Sequence, residues 1–449
     1  MTDEQRIDSL ECYGSRWGRS PNIDMIARRG ITFAACTTPS PSCVPANGAL
    51  FTGRFAHACN CLNPSPSNPA LAGETSLVHA FSAAGYQTAN LGKCDYLNRT
   101  GTGFEILDHG PSYGGAVASP TGLDPKYDPK DYDVITFPNE DHAPPTLRNV
   151  IIGGCHPLPK EEAEPGWVAR RCATYLAKEA ARPFFLRASF CAPHTPVLAS
   201  RPFYGTTDPA TIDLPLGTTE ELKSQPRFEQ FGPGRLWCFH KLSRADAMRA
   251  RANYYDLCMQ VDDAVGQILR ALQDHELDEQ TIVVFNSDHG ALLGEHGLGQ
   301  KRNFYDPVIQ VPFIFSWPGM LPEGRTSTDP AQLHDLLPTL MGLVGIDIPT
   351  RVQAQDLAPQ LRGERSVPDR ATFSEVQTYG PCSSHRAIVR HGQWKLGVSL
   401  YDAGYGEDGS LYDLERDPGE LRNLYTDPAS APIGAELKER ITAWQTATS

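Results

Sequence analysis

The strongest constraint on this chain is the way apolar, strand-like runs alternate with segments of helical period. TIVVFN (Thr281 to Asn286) is the clearest buried strand. It follows a helical stripe formed by Tyr255, Cys258, Val261, Val265, Ile268 and Leu272. The same succession recurs upstream. Ser20-Pro21 caps a short helix that stops at Gly30, with Ile23, Ile26 and Ala27 on one face, and ITFAAC (Ile31 to Cys36) follows as a strand. Leu77, Val78, Phe81 and Ala84 mark a helix ending at Gly85, before the strand Tyr86 to Leu91. Trp167, Val168, Cys172, Tyr175 and Leu176 pattern another helix, before the strand Phe184 to Phe190. The pattern predicts an α/β fold: a large, mostly parallel mixed sheet flanked by helices.

Two stretches break the rhythm. Residues 100–158 are turn-rich and without a period, and read as a loop inserted over the sheet edge; Arg201 to Arg244 is likewise rich in Pro and Gly. Near Arg362 to Arg370 the composition turns polar. This divides a catalytic α/β domain (1–365) from a smaller C-terminal α+β subdomain (366–449) that closes with a helix from about Ala435. The formal charge, 40 − 53 = −13, and the lack of a basic tract argue against nucleic acid as a partner. No apolar run approaches the ~18 residues of a bilayer span, and the polar start MTDEQRIDSLECYG has no secretory leader, so a cytoplasmic location without membrane attachment is expected. The twelve cysteines are scattered without a paired C-x-x-C framework, and reduced thiols are expected. The sequence is silent on oligomeric state.

In open α/β sheets, ligands bind past the carboxyl ends of the strands. Gly92, Lys93, Cys94 and Asp95 follow the strand ending at Leu91, and Cys191 to His194 follow the strand ending at Phe190. Ser287, Asp288, His289 and Gly290 follow TIVVFN, with Lys301 a short loop further on; Cys43 lies in the loop after ITFAAC, and Asp3 and Glu4 open the chain. Singly, each is as well read as a helix cap or a satisfied polar residue. Their arrival at one edge is the signal. Asp3, Glu4, Asp288 and His289 form a divalent-cation set whose carboxylates favour Ca²⁺ or Mg²⁺, with the imidazole leaving Mn²⁺ open. Lys93 and Lys301 add positive charge for an anionic group. Cys43 precedes a short helix, PANGALFTG, whose free N–H groups favour an oxyanion. His240 and Lys241 could reach a substrate, but a solvated loop is the better reading of them.

At these residues the chain resembles the sulfatase branch of the alkaline-phosphatase superfamily. CVPANGALFTGR (Cys43 to Arg54) is similar to the C-x-P-x-R…TGR signature, and GYQTANLGK (Gly85 to Lys93) to the second signature. Ala192 to Pro196, Asn286 to Lys301 and Leu411 to Leu424 complete the series in the family's order. The resemblance implies a metal-dependent hydrolase of small anionic sulfate esters. A separate maturation enzyme would oxidise Cys43 to formylglycine, and one divalent cation, Ca²⁺ before Mn²⁺ or Mg²⁺, would sit on Asp3, Glu4, Asp288 and His289. Lys93 and Lys301 would bind sulfate oxygens and His194 would protonate the leaving oxygen. Phosphonate monoester or phosphodiester hydrolysis on the same scaffold is an alternative. So is a member that does not turn over, or that keeps an unmodified cysteine. Three departures bear on the choice. Asn47 replaces the motif arginine, which serves both recognition by the maturation enzyme and contact with the nucleophile. Asp95 replaces the histidine of G-K-x-H, where a carboxylate would repel sulfate unless protonated or turned away. Finally, relatives carry an apolar first strand just before the acidic pair, and almost nothing precedes Asp3 here: either the sequence is clipped or a central strand is absent, and Asp3 is expected to be loosely held.

Overall fold

The computed structural model describes the chain except residues 63–75, 95–102, 111–132, 137–150, 181–182, 219, 232–238, 379–383 and 403–407. Two groups of strands meet edge to edge. In one, Gln87–Gly92 lies between Ile106–Asp108 and Phe184–Ser189, all parallel. In the other, the order is Arg325–Ser327, Gly30–Phe33, Phe313–Ser316, Val283–Asn286, with parallel pairing only between the first two. Met1 and Thr2 join them. The Met1 amine donates to Ala188 O (2.9 Å) and Phe190 N to Met1 O (2.9 Å), while Thr2 N donates to Asn286 O (3.0 Å) in a parallel bridge to Ser287. These two residues bridge the two strand groups. Asp3 is therefore not loosely held: it is buried, and the residues before it are paired on both sides.

Side chains alternate across this sheet. Phe313 and Phe315 enter the layer of Phe33, Phe51, Leu77 and Leu336, whereas Ile314 enters the opposite layer with Ile26, Val168, Val261 and Phe285. The helix Arg244–Asp274 starts where Ser243 accepts from Asp246 N (3.1 Å), and Ser76 caps Leu77–Ala83 through His79 N (3.3 Å). The expected strand ITFAAC is cut short at Phe33, with a separate piece at Cys36–Thr37. The closing helix starts at Ala431, rather than near Ala435.

The reading of 100–158 as loop is corrected. Ile106–Asp108 extends the parallel sheet, and Ile151–Cys155 pairs with Val197–Ala199 in parallel and with Val134–Thr136 in antiparallel. These pieces are three to five residues long, and IIGGC carries two glycines, so no alternation could reveal them. In the C-terminal part, four antiparallel strands run from Thr372–Thr378 to Ser410–Asp413 in sequence order. Leu437, Ile441 and Trp444 of Ala431–Thr448 cover them. Phe55, just beyond the Cys43–Thr52 helix, packs against Trp444 with ring centroids 5.0 Å apart, so this subdomain buttresses the helix that Cys43 begins. No helix among the described residues is long and apolar enough to cross a membrane. The ten cysteines described are all free thiols.

Candidate active site

The strand ends deliver their polar residues to one edge, and the helix Cys43–Thr52 points its start at the same place. Ser42 is extended before it, Pro45 fits its first turn, and Gly53 ends it in the left-handed region (φ 63°). Cys43 Sγ lies 2.9 Å from Lys301 Nζ, 3.3 Å from His289 Nε2 and 3.7 Å from Asp3 Oδ1. Asp3 pairs with Lys93 and stands 3.9 Å from Lys301 Nζ. Burial alone would raise the Asp3 pKa, but the two lysines hold it well below the carboxylate range.

Asp288 receives Glu4 N (3.3 Å) and His289 N (2.8 Å) on Oδ1, and its Oδ2 lies 3.4 Å from Asn47 Nδ2. Its pKa is raised, by burial first and by the Asp3 charge second. His289 Nδ1 faces Gly290 O at 2.9 Å, which leaves Nε2 toward Asp3 Oδ1 (3.8 Å) and Asp288 Oδ2 (3.7 Å). Burial would lower the His289 pKa; Asp288 beside it overrides this and raises it to about 9.

Glu4 faces differently. Its carboxylate meets Lys301 Nζ (2.8 Å), His194 Nε2 (3.4 Å) and Thr195 N (3.2 Å), while its carbonyl accepts from Tyr254 OH (2.7 Å). Burial pushes the His194 pKa down against the pull of Glu4. Donor atoms of Asp3, Cys43, Asp288 and His289 lie within 4.8 Å of one another, as do those of Asp3, Glu4 and His194. Converging carboxylate oxygens and an imidazole with its outer nitrogen fixed suit a divalent cation. Glu4 falls in the group with His194 rather than in the group with Asp288.

The structure thus gathers Asp3, Glu4, Cys43, Asn47, Lys93, His194, Asp288, His289 and Lys301. Asp95 lies outside the described residues, and so does the side chain of His240, whose backbone forms the turn Phe239–Lys241. Two neighbours escaped the sequence reading. Glu164 accepts from Cys191 N (2.7 Å) and Ala192 N (3.5 Å), fixing the loop that carries His194; burial raises its pKa to about 7. Its sequence signal is only that of an acid in a helix's first turn. Arg187 donates to Asn47 Oδ1 (3.2 Å) from inside a sheet strand, and a charge within the apolar run FFLRASF was a readable signal.

With a nucleophile-bearing helix start, paired lysines and a cation-ready acidic set at the carboxyl edge of a mixed α/β sheet, the fold and site define an alkaline-phosphatase-like hydrolase scaffold. The Sulfatase family model matches residues 1–346, and a second one, N-sulphoglucosamine sulphohydrolase, C-terminal, matches residues 294–447. The chain belongs to the sulfatase family. It is 27% identical over 455 residues to an arylsulfatase of Clostridium perfringens, covering 98% of this chain and 91% of the relative. It is 30% identical over 460 residues to the Delta 4,5-hexuronate-2-O-sulfatase of Bacteroides thetaiotaomicron, covering 96% and 84%. Among solved structures, the phosphonate monoester hydrolase of Agrobacterium radiobacter superposes with a TM-score of 0.82 at 21% identity, covering 100% of this chain and 95% of that one; at this identity the likeness shows the fold.

Proposed function

We propose that the chain is a divalent-cation-dependent hydrolase of small sulfate esters whose nucleophile is a formylglycine made from Cys43. One observation carries the reading. The Cys43 side chain sits at a helix start, 2.9 Å from Lys301 Nζ and 3.3 Å from His289 Nε2, inside the acidic set. A formylglycine at position 43 would supply, as its hydrate, a geminal diol with one hydroxyl as the nucleophile and the other for release of sulfate. A cation on Asp3, Asp288 and His289, with Glu4 flanking, supplies fixed positive charge for the sulfate oxygens. Ca²⁺ suits this oxygen-rich set best, ahead of Mn²⁺ or Mg²⁺.

The chain's own groups do the rest. Lys93 and Lys301, held charged by neighbouring carboxylates against the effect of burial, grip the transferring anion where its charge builds up. His194 Nε2 stands against Glu4, a carboxylate that orients it to give a proton to the leaving oxygen. Glu164 holds the loop beneath it through two backbone N–H groups.

The test is co-expression with a formylglycine-generating enzyme, followed by peptide mass analysis at Cys43 and parallel assays on aryl sulfate and aryl phosphonate esters. Aldehyde at position 43 with sulfate ester turnover, lost in Cys43→Ala, is expected. A wholly thiol Cys43 under these conditions overturns the formylglycine step. Turnover of the phosphonate alone moves the protein to phosphonate ester hydrolysis.

A further inference from the structure

We propose that Arg187 is a positioning residue of this site, clamping the Cys43 helix to the strand end that carries Lys93. It lies in the strand Phe184–Ser189 opposite Asn90 and is buried. Nη1 donates to Asn90 Oδ1 (2.8 Å) and to Lys93 O (3.1 Å). Nη2 donates to Asn47 Oδ1 (3.2 Å) and touches Met1 Sδ (3.2 Å). The guanidinium also lies over the Phe51 ring, 5.4 Å from its centroid, and Phe51 is one turn beyond Asn47 on the Cys43 helix. Asn47 passes the contact on. Its Nδ2 donates to Cys43 O (2.9 Å) and faces Asp288 Oδ2 (3.4 Å).

One planar fork therefore fixes the backbone of Lys93, the side chain of Asn47 and, through Asn47, both the nucleophile position and a carboxylate of the acidic set. A lysine cannot reproduce it, because a point charge on a flexible stem does not hold two diverging acceptors at fixed geometry. Position 47 also explains the exchange with the motif arginine. A long cation entering from the helix at residue 47 would occupy the space that Arg187 fills from the strand. Helix and strand are alternative sources of one guanidinium.

The inference rests on the reading of the site as a sulfatase centre. Its test uses Arg187→Met, Asn47→Leu, Asn47→Arg and the double variant Asn47→Arg/Arg187→Met. Turnover is normalised to the formylglycine content of each preparation, and binding of inorganic sulfate to Ca²⁺-loaded protein is measured calorimetrically. Arg187→Met and Asn47→Leu are each expected to lower kcat about 10²-fold and to weaken the binding of inorganic sulfate, because the displacement moves both the reacting groups and the Lys93 grip on the anion. The two losses should not add, because both break one relay. Asn47→Arg alone should lose activity, since two guanidiniums compete for one space, and the double variant should exceed both of its parents. A merely structural role for Arg187 does not predict that rescue.

Additive losses, full kcat in Arg187→Met, or a double variant no better than Arg187→Met overturn the proposal. If Arg187→Met does not fold, Arg187→Lys replaces it; wild-type kcat there overturns the proposal equally. Failure of the sulfatase reading shows separately, as matured wild type without turnover. Sulfate affinity then still tests the clamp, and equal affinity in wild type and variant refutes it.

Discussion

Removing or adding a divalent cation should change the stability of this protein, by an amount that can be worked out beforehand. Asp3 and Asp288 are buried side by side, and the Asp3 charge raises the Asp288 pKa. Without an ion, Lys93, Lys301 and His289 are among the groups that offset their repulsion. A ligand that binds only the folded state at a hundred times its Kd adds about 2.7 kcal/mol. Unfolding entropy of about 2.1 cal/mol/K per residue, taken over 449 residues, makes this a rise in Tm of about 3 °C. Differential scanning calorimetry of chelator-stripped protein, repeated with Ca²⁺, Mn²⁺ and Mg²⁺, measures it. Asp288→Asn should abolish the increment without lowering the metal-free Tm, because the native carboxylate is held there against burial and against Asp3. A full increment in both Asp288→Asn and His289→Ala, or no increment with any of the three ions, would refute the assignment of this acidic set to a cation.

Three further outcomes test the frame around the site. Glu295 accepts from Arg6 Nη2 (3.3 Å) and Arg251 Nη1 (3.1 Å) in a buried cluster; Glu295→Ala takes this carboxylate from Arg251, while Arg6 keeps Asp8, and should cost about 3–5 kcal/mol by urea denaturation. Burial raises the Glu229 pKa from 4.5 to about 8, so its contribution to stability falls as pH rises between those values. Glu229→Gln should gain stability across that window, reaching on the order of 4 kcal/mol above it, and a gain independent of pH would contradict the cause. Glu375 is the opposite case. Burial would raise its pKa, yet His385 Nε2 (2.8 Å) and His57 Nδ1 (2.9 Å) bring it down to about 2. Its stabilisation, about 3 kcal/mol, is complete above pH 4.5 and lost as pH falls through about 2. Acid titration of Glu375→Gln against wild type should show a gap that closes over that range.

What the sequence reveals and what it conceals have one physical origin. A residue directly after a strand is carried to the sheet's carboxyl edge whatever else the fold does, so Lys93, His194, Asp288 and Lys301 could be placed from local pattern alone. Cys43 was legible for a related reason, since Ser42, Pro45 and Gly53 bound its helix by local geometry. The strands within 100–158 were not legible: pieces as short as Ile106–Asp108 take their conformation from the neighbour they pair with. The steadiness of Asp3 and Glu4 was also hidden, because the partners of Met1 and Thr2 lie almost two hundred and three hundred residues away. Glu164 and Arg187 show where local reasoning must stop. Which backbone Glu164 caps is decided by how its helix crosses the strand before His194, and which helix Arg187 reaches is decided by sheet order. Local pattern therefore finds the groups that gather at the sheet's carboxyl edge, while the groups that hold them in place are set by packing. Substitutions at Arg187 and Asn47 test that second set directly, because neither residue follows a strand end and yet both bear on Cys43.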